Sequence, residues 1–105
     1  MKEEYCLITT AVNDREFARR LASQLVESRL AACVQVASIE STYRWMDKVT
    51  CENEFLLLIK TLPNHYELVE KAIRDNHPYE LPEIVRIPIN GGSQDYLNWI
   101  KECVE

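Results

Sequence analysis

Asn76-His77-Pro78-Tyr79-Glu80-Leu81-Pro82-Glu83 brings an imidazole, a phenol and two carboxylates into one short segment. Pro78 and Pro82 fix φ and remove backbone donors, so the segment continues neither the helical pattern before it nor the strand pattern after it. A stiff loop that groups such side chains is a place where binding residues collect. His77 with Glu83, and Glu80 beside them, are the candidate metal ligands. His77 has a second possible role, because at a helix end its charge complements the dipole and its ring can bond to free carbonyls. Glu83 is equally suited to an ion pair with Lys60 or Arg86. Lys60 ends an apolar strand, where its head group can reach solvent or hold an anion. Tyr43, Trp45 and Tyr79 are polar-tipped aromatics, suited to packing at an interface and to stacking on a ligand. Tyr43, Trp45, Lys60, His77, Tyr79 and Glu83 are therefore the candidate ligand-binding set.

The elements that must position these residues follow from the periodicity. Tyr5 to Thr10 alternates as a strand, with Cys6, Ile8 and Thr10 on one face. Asn13-Asp14-Arg15-Glu16 has the form of a capping box, and Phe17, Leu21 and Leu25 continue as the apolar stripe of a helix to about Arg29. Cys33 to Met46 is rich in Val, Ile, Thr, Tyr and Trp and predicts a long strand. Asp47 to Asn53 reads as a polar connection, and Glu54 to Thr61 as the returning strand of a hairpin. Pro63 to Glu67 opens a second helix with its stripe at Leu68, Val69, Ala72 and Ile73. Glu83 to Ile89 predicts a fourth strand, in which Pro88 marks an edge or bulge. Gly91-Gly92 makes a turn, and Ser93 or Asp95 caps a short last helix with Tyr96, Ile100 and Val104 on one face. The order is βαββαβ plus a C-terminal helix. This is the α+β, ferredoxin-like arrangement, an antiparallel sheet with two helices on one face, in a single domain over residues 1–105.

Composition limits what such a domain can do. The chain has 105 residues, 47% hydrophobic, with a net charge of −5. A non-specific nucleic-acid binder needs a basic surface, and this balance argues against one. The longest apolar run, Phe55 to Ile59, is far too short to span a membrane. Met1-Lys2-Glu3-Glu4 is charged and unlike a signal peptide, so the expected location is cytoplasmic. Cys6, Cys33, Cys51 and Cys103 form no C-x-x-C pair and no zinc spacing, and read as incidental thiols. No Ser/His/Asp or Cys/His set is readable, and the first turn has no glycines to cradle phosphate, so no enzyme is expected.

Two features point to an oligomer. Phe55-Leu56-Leu57-Leu58-Ile59 is apolar on both strand faces, and the two main helices can cover only one of them. A strand of about 14 residues would reach ~46 Å, so its far half, Ser41 to Met46, overhangs the domain with unpaired edges. Another copy of the chain is the simplest cover for both.

Five segments together resemble the CutA divalent-cation-tolerance family. They are residues 25–34, Ser41-Thr42-Tyr43-Arg44-Trp45, Leu56-Leu57-Leu58-Ile59-Lys60-Thr61, the loop from Asn76 to Glu83, and Asp95-Tyr96-Leu97-Asn98-Trp99-Ile100. They span nearly the whole chain in the family's order. The resemblance implies a homotrimer in which the long hairpins pair between subunits, kinship with the PII signalling proteins, and a link to tolerance of copper and other divalent ions. The copper ligands it implies fall at Thr10, Asn76 and Glu83, where the family pattern has Cys, His and Glu. Only the carboxylate is retained, and hydroxyl and amide groups are poor copper ligands.

The resulting expectation is a trimeric protein of divalent metal (copper) tolerance, binding Cu²⁺ or a small ligand in a cleft between subunits. The alternative is a PII-like module that binds a small anion or nucleotide and reports to a protein partner.

Overall fold

The structure, a computed structural model, describes residues 4–104. The charged start Met1-Lys2-Glu3 and Glu105 lie outside the described residues. Strand β1 (Tyr5–Val12) leads to helix α1 (Arg15–Glu27), then to the hairpin β2 (Cys33–Trp45) and β3 (Lys48–Thr61). A single 3-10 turn (Pro63–His65) opens α2 (Tyr66–Asn76), and β4 (Val85–Ile89) and α3 (Gln94–Val104) complete the chain. The sheet is antiparallel with order β2-β3-β1-β4. The ferredoxin-like arrangement expected from the periodicity is therefore the observed one.

The register explains which residues make the core. Ile8 pairs with Ile59 and Thr10 with Leu57, so Cys6, Ile8, Val12, Leu57 and Ile59 share one face. All five are fully buried under Phe17, Leu21 and Leu25 of α1 and Val69 and Ile73 of α2. The helix ends agree with the local sequence. Asp14, not Asn13, is the N-cap of α1, and its carboxylate accepts the Glu16 amide at 3.0 Å. At the other end Arg29 takes a left-handed φ of 61° while its amide and that of Leu30 bond to Val26 and Leu25. This is a Schellman stop with arginine at the position that usually carries glycine.

Among the described residues, the opposite face is covered at one end alone. There Leu97, Ile100 and Val104 of α3 pack with Ala32, Leu62, Tyr5 and Ile89. Beyond α3 the face carries Leu56 and Leu58, both half-buried, and Val85 and Ile87, which are 45% and 43% exposed.

The hairpin differs from expectation in its turn. Asp47 to Asn53 is not a connection: β3 starts at Lys48, and Trp45 pairs directly with Lys48. Only Met46 and Asp47 turn the chain, with φ of 50° and 64°. Two consecutive positive φ values are the mark of a type I′ turn, whose twist matches the flanking strands. The polar stretch from Lys48 to Asn53 remains strand because residues 40–45 pair with it residue for residue. β1 ends at Val12 opposite Phe55, so everything on β3 before Phe55 projects past the sheet by about 20 Å. At the other edge β4 begins at Val85, which leaves Glu83 in the loop rather than in the strand.

Candidate functional site

The last β1–β4 pair is Thr9 with Val85. Past it, Ala11 has no β4 partner, and the loop after α2 fills that place. His77 caps α2, its amide bonding to the Ile73 carbonyl at 2.8 Å, and its ring turns back across the sheet. The Tyr79 amide donates to His77 Nδ1 at 3.1 Å, so Nδ1 is the unprotonated nitrogen. Nε2 then carries the hydrogen and donates to the Ala11 carbonyl at 2.9 Å. The ring is wedged edge-on between Phe17 and Tyr79, at 5.5 and 4.7 Å between centroids. Burial lowers the His77 pKa, and the Ala11 bond and the charge of Glu54 oppose that only in part. His77 is thus the neutral pin that fixes the loop to β1.

The pinned loop sets Tyr79 and Glu83 against the sheet end. Tyr79 Oη donates to Glu54 Oε2 at 2.7 Å, and Thr9 Oγ1 donates to Glu83 Oε2 at 2.8 Å. Across from them the projecting hairpin carries Tyr43, whose hydroxyl donates to Glu52 Oε1 at 2.9 Å, and Trp45. Loop and hairpin form the walls of an open cavity of about 640 Å³. Its walls include Tyr43, Arg44, Trp45, Glu52, Glu54 and Tyr79, with Glu80 and Glu83 on the loop side. The carboxylates make their presence felt on the phenols. Burial first, then the Glu54 hydrogen bond and the charges of Glu54 and Glu52, push the Tyr79 pKa far up. The Glu52 hydrogen bond leads the smaller rise at Tyr43. Both phenols stay protonated and act as donors.

Four of the six candidate ligand residues therefore line one cavity: Tyr43, Trp45, Tyr79 and Glu83. His77 stands behind the wall and positions it. Lys60 is elsewhere: it lies six residues along β3 from Glu54, about 20 Å away, and its Nζ donates to Tyr96 Oη at 3.1 Å. The ion pair of Glu83 with Lys60 is replaced by the Thr9 contact. Glu52 and Glu54 were missed as site residues. The signal was present, because Glu54 alternates with Leu56 and Leu58 on one face, and a carboxylate heading an apolar row must find a partner.

The metal expectations meet the geometry poorly. Both His77 nitrogens are engaged by backbone groups, so coordination through His77 requires breaking one of those bonds. Thr10 is fully buried under the helices, and Asn76 Nδ2 bonds to the Ala72 carbonyl of its own helix at 2.7 Å. Among the described residues no three His, Cys, Asp or Glu side chains converge. The donor set does not fit a copper ion held through His77.

A ferredoxin-like sheet, an overhanging hairpin and a loop-walled cavity at its root define a class of small α+β binding domain. Residues 6–103 match the family described as CutA1 divalent ion tolerance protein. The chain is 44% identical over 101 residues to "Divalent-cation tolerance protein CutA" of Thermus thermophilus, covering 95% of this chain and 96% of that one. It is 41% identical over 96 residues to "Protein CutA, chloroplastic" of Arabidopsis thaliana, covering 90% of this chain but only 53% of the plant protein. The crystal structure of CutA1 from Shewanella sp. SIB1 superposes with a TM-score of 0.93 at 40% identity, over 98% of this chain and 97% of that chain. This chain belongs to the CutA1 divalent ion tolerance family.

Proposed function

We propose that the protein acts in divalent metal tolerance, copper included, as a homotrimer in the cytoplasm, and that it binds a small ligand in the cavity beneath its hairpin. The tolerance role is supported by relatives that carry that name at this level of identity. The assembly rests on one observation: among the described residues no element packs over the part of the sheet face that carries Leu56, Leu58, Val85 and Ile87. Soluble monomers rarely expose a contiguous apolar face flanked by a projecting strand pair.

Sedimentation of the purified chain and of Ile87→Asp tests this reading. A face buried between copies makes the substitution dissociate the assembly, because an unpaired carboxylate is then desolvated. A face exposed to water leaves the substitution silent, and a wild-type chain that sediments as a folded monomer ends the reading. A cell lacking the protein supplies the second test, as sensitivity to copper and other divalent ions restored by wild type and not by Ile87→Asp.

A further inference from the structure

The cavity has a chemistry that metal tolerance does not use. Glu52, Glu54, Glu80 and Glu83 border it against one cation, Arg44, which leaves an excess of negative charge. Tyr43, Trp45 and Tyr79 supply aromatic surface on the same walls. Glu54 is the decisive residue. It is only 7% exposed, yet its one hydrogen bond among the described residues is from Tyr79, to Oε2. Glu54 lines the cavity, and no hydrogen bond among the described residues reaches its Oε1. A largely buried carboxylate that keeps one oxygen free of protein donors is a favourable partner for a cation entering from the cavity.

We propose that this cavity binds a small organic cation, a primary ammonium or guanidinium compound, with its charge on Glu54 Oε1 and its apolar body against Trp45 and Tyr43. The inference deepens the proposed function, because it rests on the cavity being the ligand site of the assembled protein. A bare divalent ion is the poorer occupant. Glu52, Glu54 and Glu83 each already accept a hydroxyl, no three ligating side chains converge among the described residues, and a hydrated ion leaves the aromatic walls unused. An organic cation uses both halves of the lining, since its weakly hydrated charge gains from the ring faces as well as from the carboxylate. The cavity volume of about 640 Å³ is that of a small-molecule site.

Isothermal titration calorimetry on the assembled full chain, in EDTA at neutral pH, tests this with n-butylammonium and n-butylguanidinium. n-Butanol is the neutral counterpart of the ammonium, and pentanoate is the anionic compound with the same butyl chain. The two cations are expected to bind saturably and the neutral and anionic compounds not. Trp45→Ala and Glu54→Gln are each expected to weaken the cations about tenfold. Trp45 lies on the exposed hairpin, so Trp45→Ala carries the test if Glu54→Gln does not fold. No saturable binding up to tens of millimolar overturns the proposal, as does n-butanol binding as well as the cations. A cavity already filled by a cationic side chain of another copy overturns it too, and shows as silent wild type with an assembly loosened by Glu54→Gln. Failure here with the assembly intact leaves the proposed function standing, whereas a monomer in sedimentation removes that reading itself.

Discussion

Tyr79→Phe removes one oxygen atom and leaves the ring in place against His77. Its cost can be worked from the Glu54 side. The Tyr79–Glu54 bond is 2.7 Å long and joins a hydroxyl to a carboxylate that is only 7% exposed. Hydrogen bonds to charged groups contribute about 1.5–3 kcal/mol, and a buried acceptor that loses its donor bears the desolvation cost as well. Glu54 is largely withdrawn from water, so the lost bond is only partly replaced by solvent and a loss of about 2 kcal/mol is expected. The same substitution made in a Glu54→Gln background meets a neutral acceptor and costs about 1 kcal/mol or less. The difference is the coupling energy of the pair, read from a double-mutant cycle of denaturant midpoints. Protein concentration must be held fixed, because an oligomer's apparent stability depends on it. A single-variant loss under about 0.5 kcal/mol, equal in both backgrounds, would show that the bond does not hold the loop to the hairpin.

Three further outcomes follow from the same geometry. Thr10→Val removes a hydroxyl that is fully buried with no partner among the described residues, so it should stabilise by about 1 kcal/mol in chemical denaturation, and any loss would reveal a partner for that oxygen. Met46→Asn with Asp47→Gly puts the preferred type I′ pair where both φ values are already positive, and should raise stability by about 1 kcal/mol; an unchanged midpoint would mean the turn relaxes in solution. His77 has its folded pKa below the ordinary 6.5, so the unfolded chain takes up the proton first. The stabilisation it gives is complete above pH 6.5 and declines as pH falls from there toward the lowered folded value. The protection factor of the Tyr79 amide should fall over that window, and a His77→Gln variant with the same pH profile would refute the assignment.

The parts of the fold that were legible are those in which a local pattern and the tertiary demand coincide. The stripe Phe17, Leu21, Leu25 states both that α1 is a helix and which face it buries. Val49-Thr50-Cys51 was misread because polarity reports exposure to water and not the backbone conformation. In a ribbon that stands clear of the sheet, a strand is exposed on both faces and its apolar alternation disappears. Met46-Asp47 lacks the glycine or asparagine that announces a two-residue turn, so the turn was hidden as well. The role of His77 as a helix-end residue bonding to carbonyls was half visible. Its own amide does close α2, but the carbonyl its ring reaches is that of Ala11, far off in sequence. Nothing in the local pattern names that partner. Lys60 and Glu83 show the converse limit. Both belong to family-like segments, yet register separates them, since Lys60 pairs with Leu7 and Glu83 bonds to Thr9.

The cavity is built from two pieces that have little in common until something joins them. One wall is the loop, pinned by His77 to Ala11 and by Glu83 to Thr9. The other is the outer hairpin, which beyond Phe55 pairs only with itself. An isolated two-stranded ribbon is marginally stable in water, so the wall that carries Tyr43 and Trp45 has no rigid support within the chain. Tyr79–Glu54 is the side-chain bond that crosses between the pieces. In the proposed assembly, neighbouring copies hold the hairpin from outside while a cation between Trp45 and Glu54 holds it from within. Both act on the same ribbon, and each removes disorder that the other would otherwise have to remove. Coupling between binding equilibria is reciprocal, so a ligand that tightens the assembly must be bound more tightly by it.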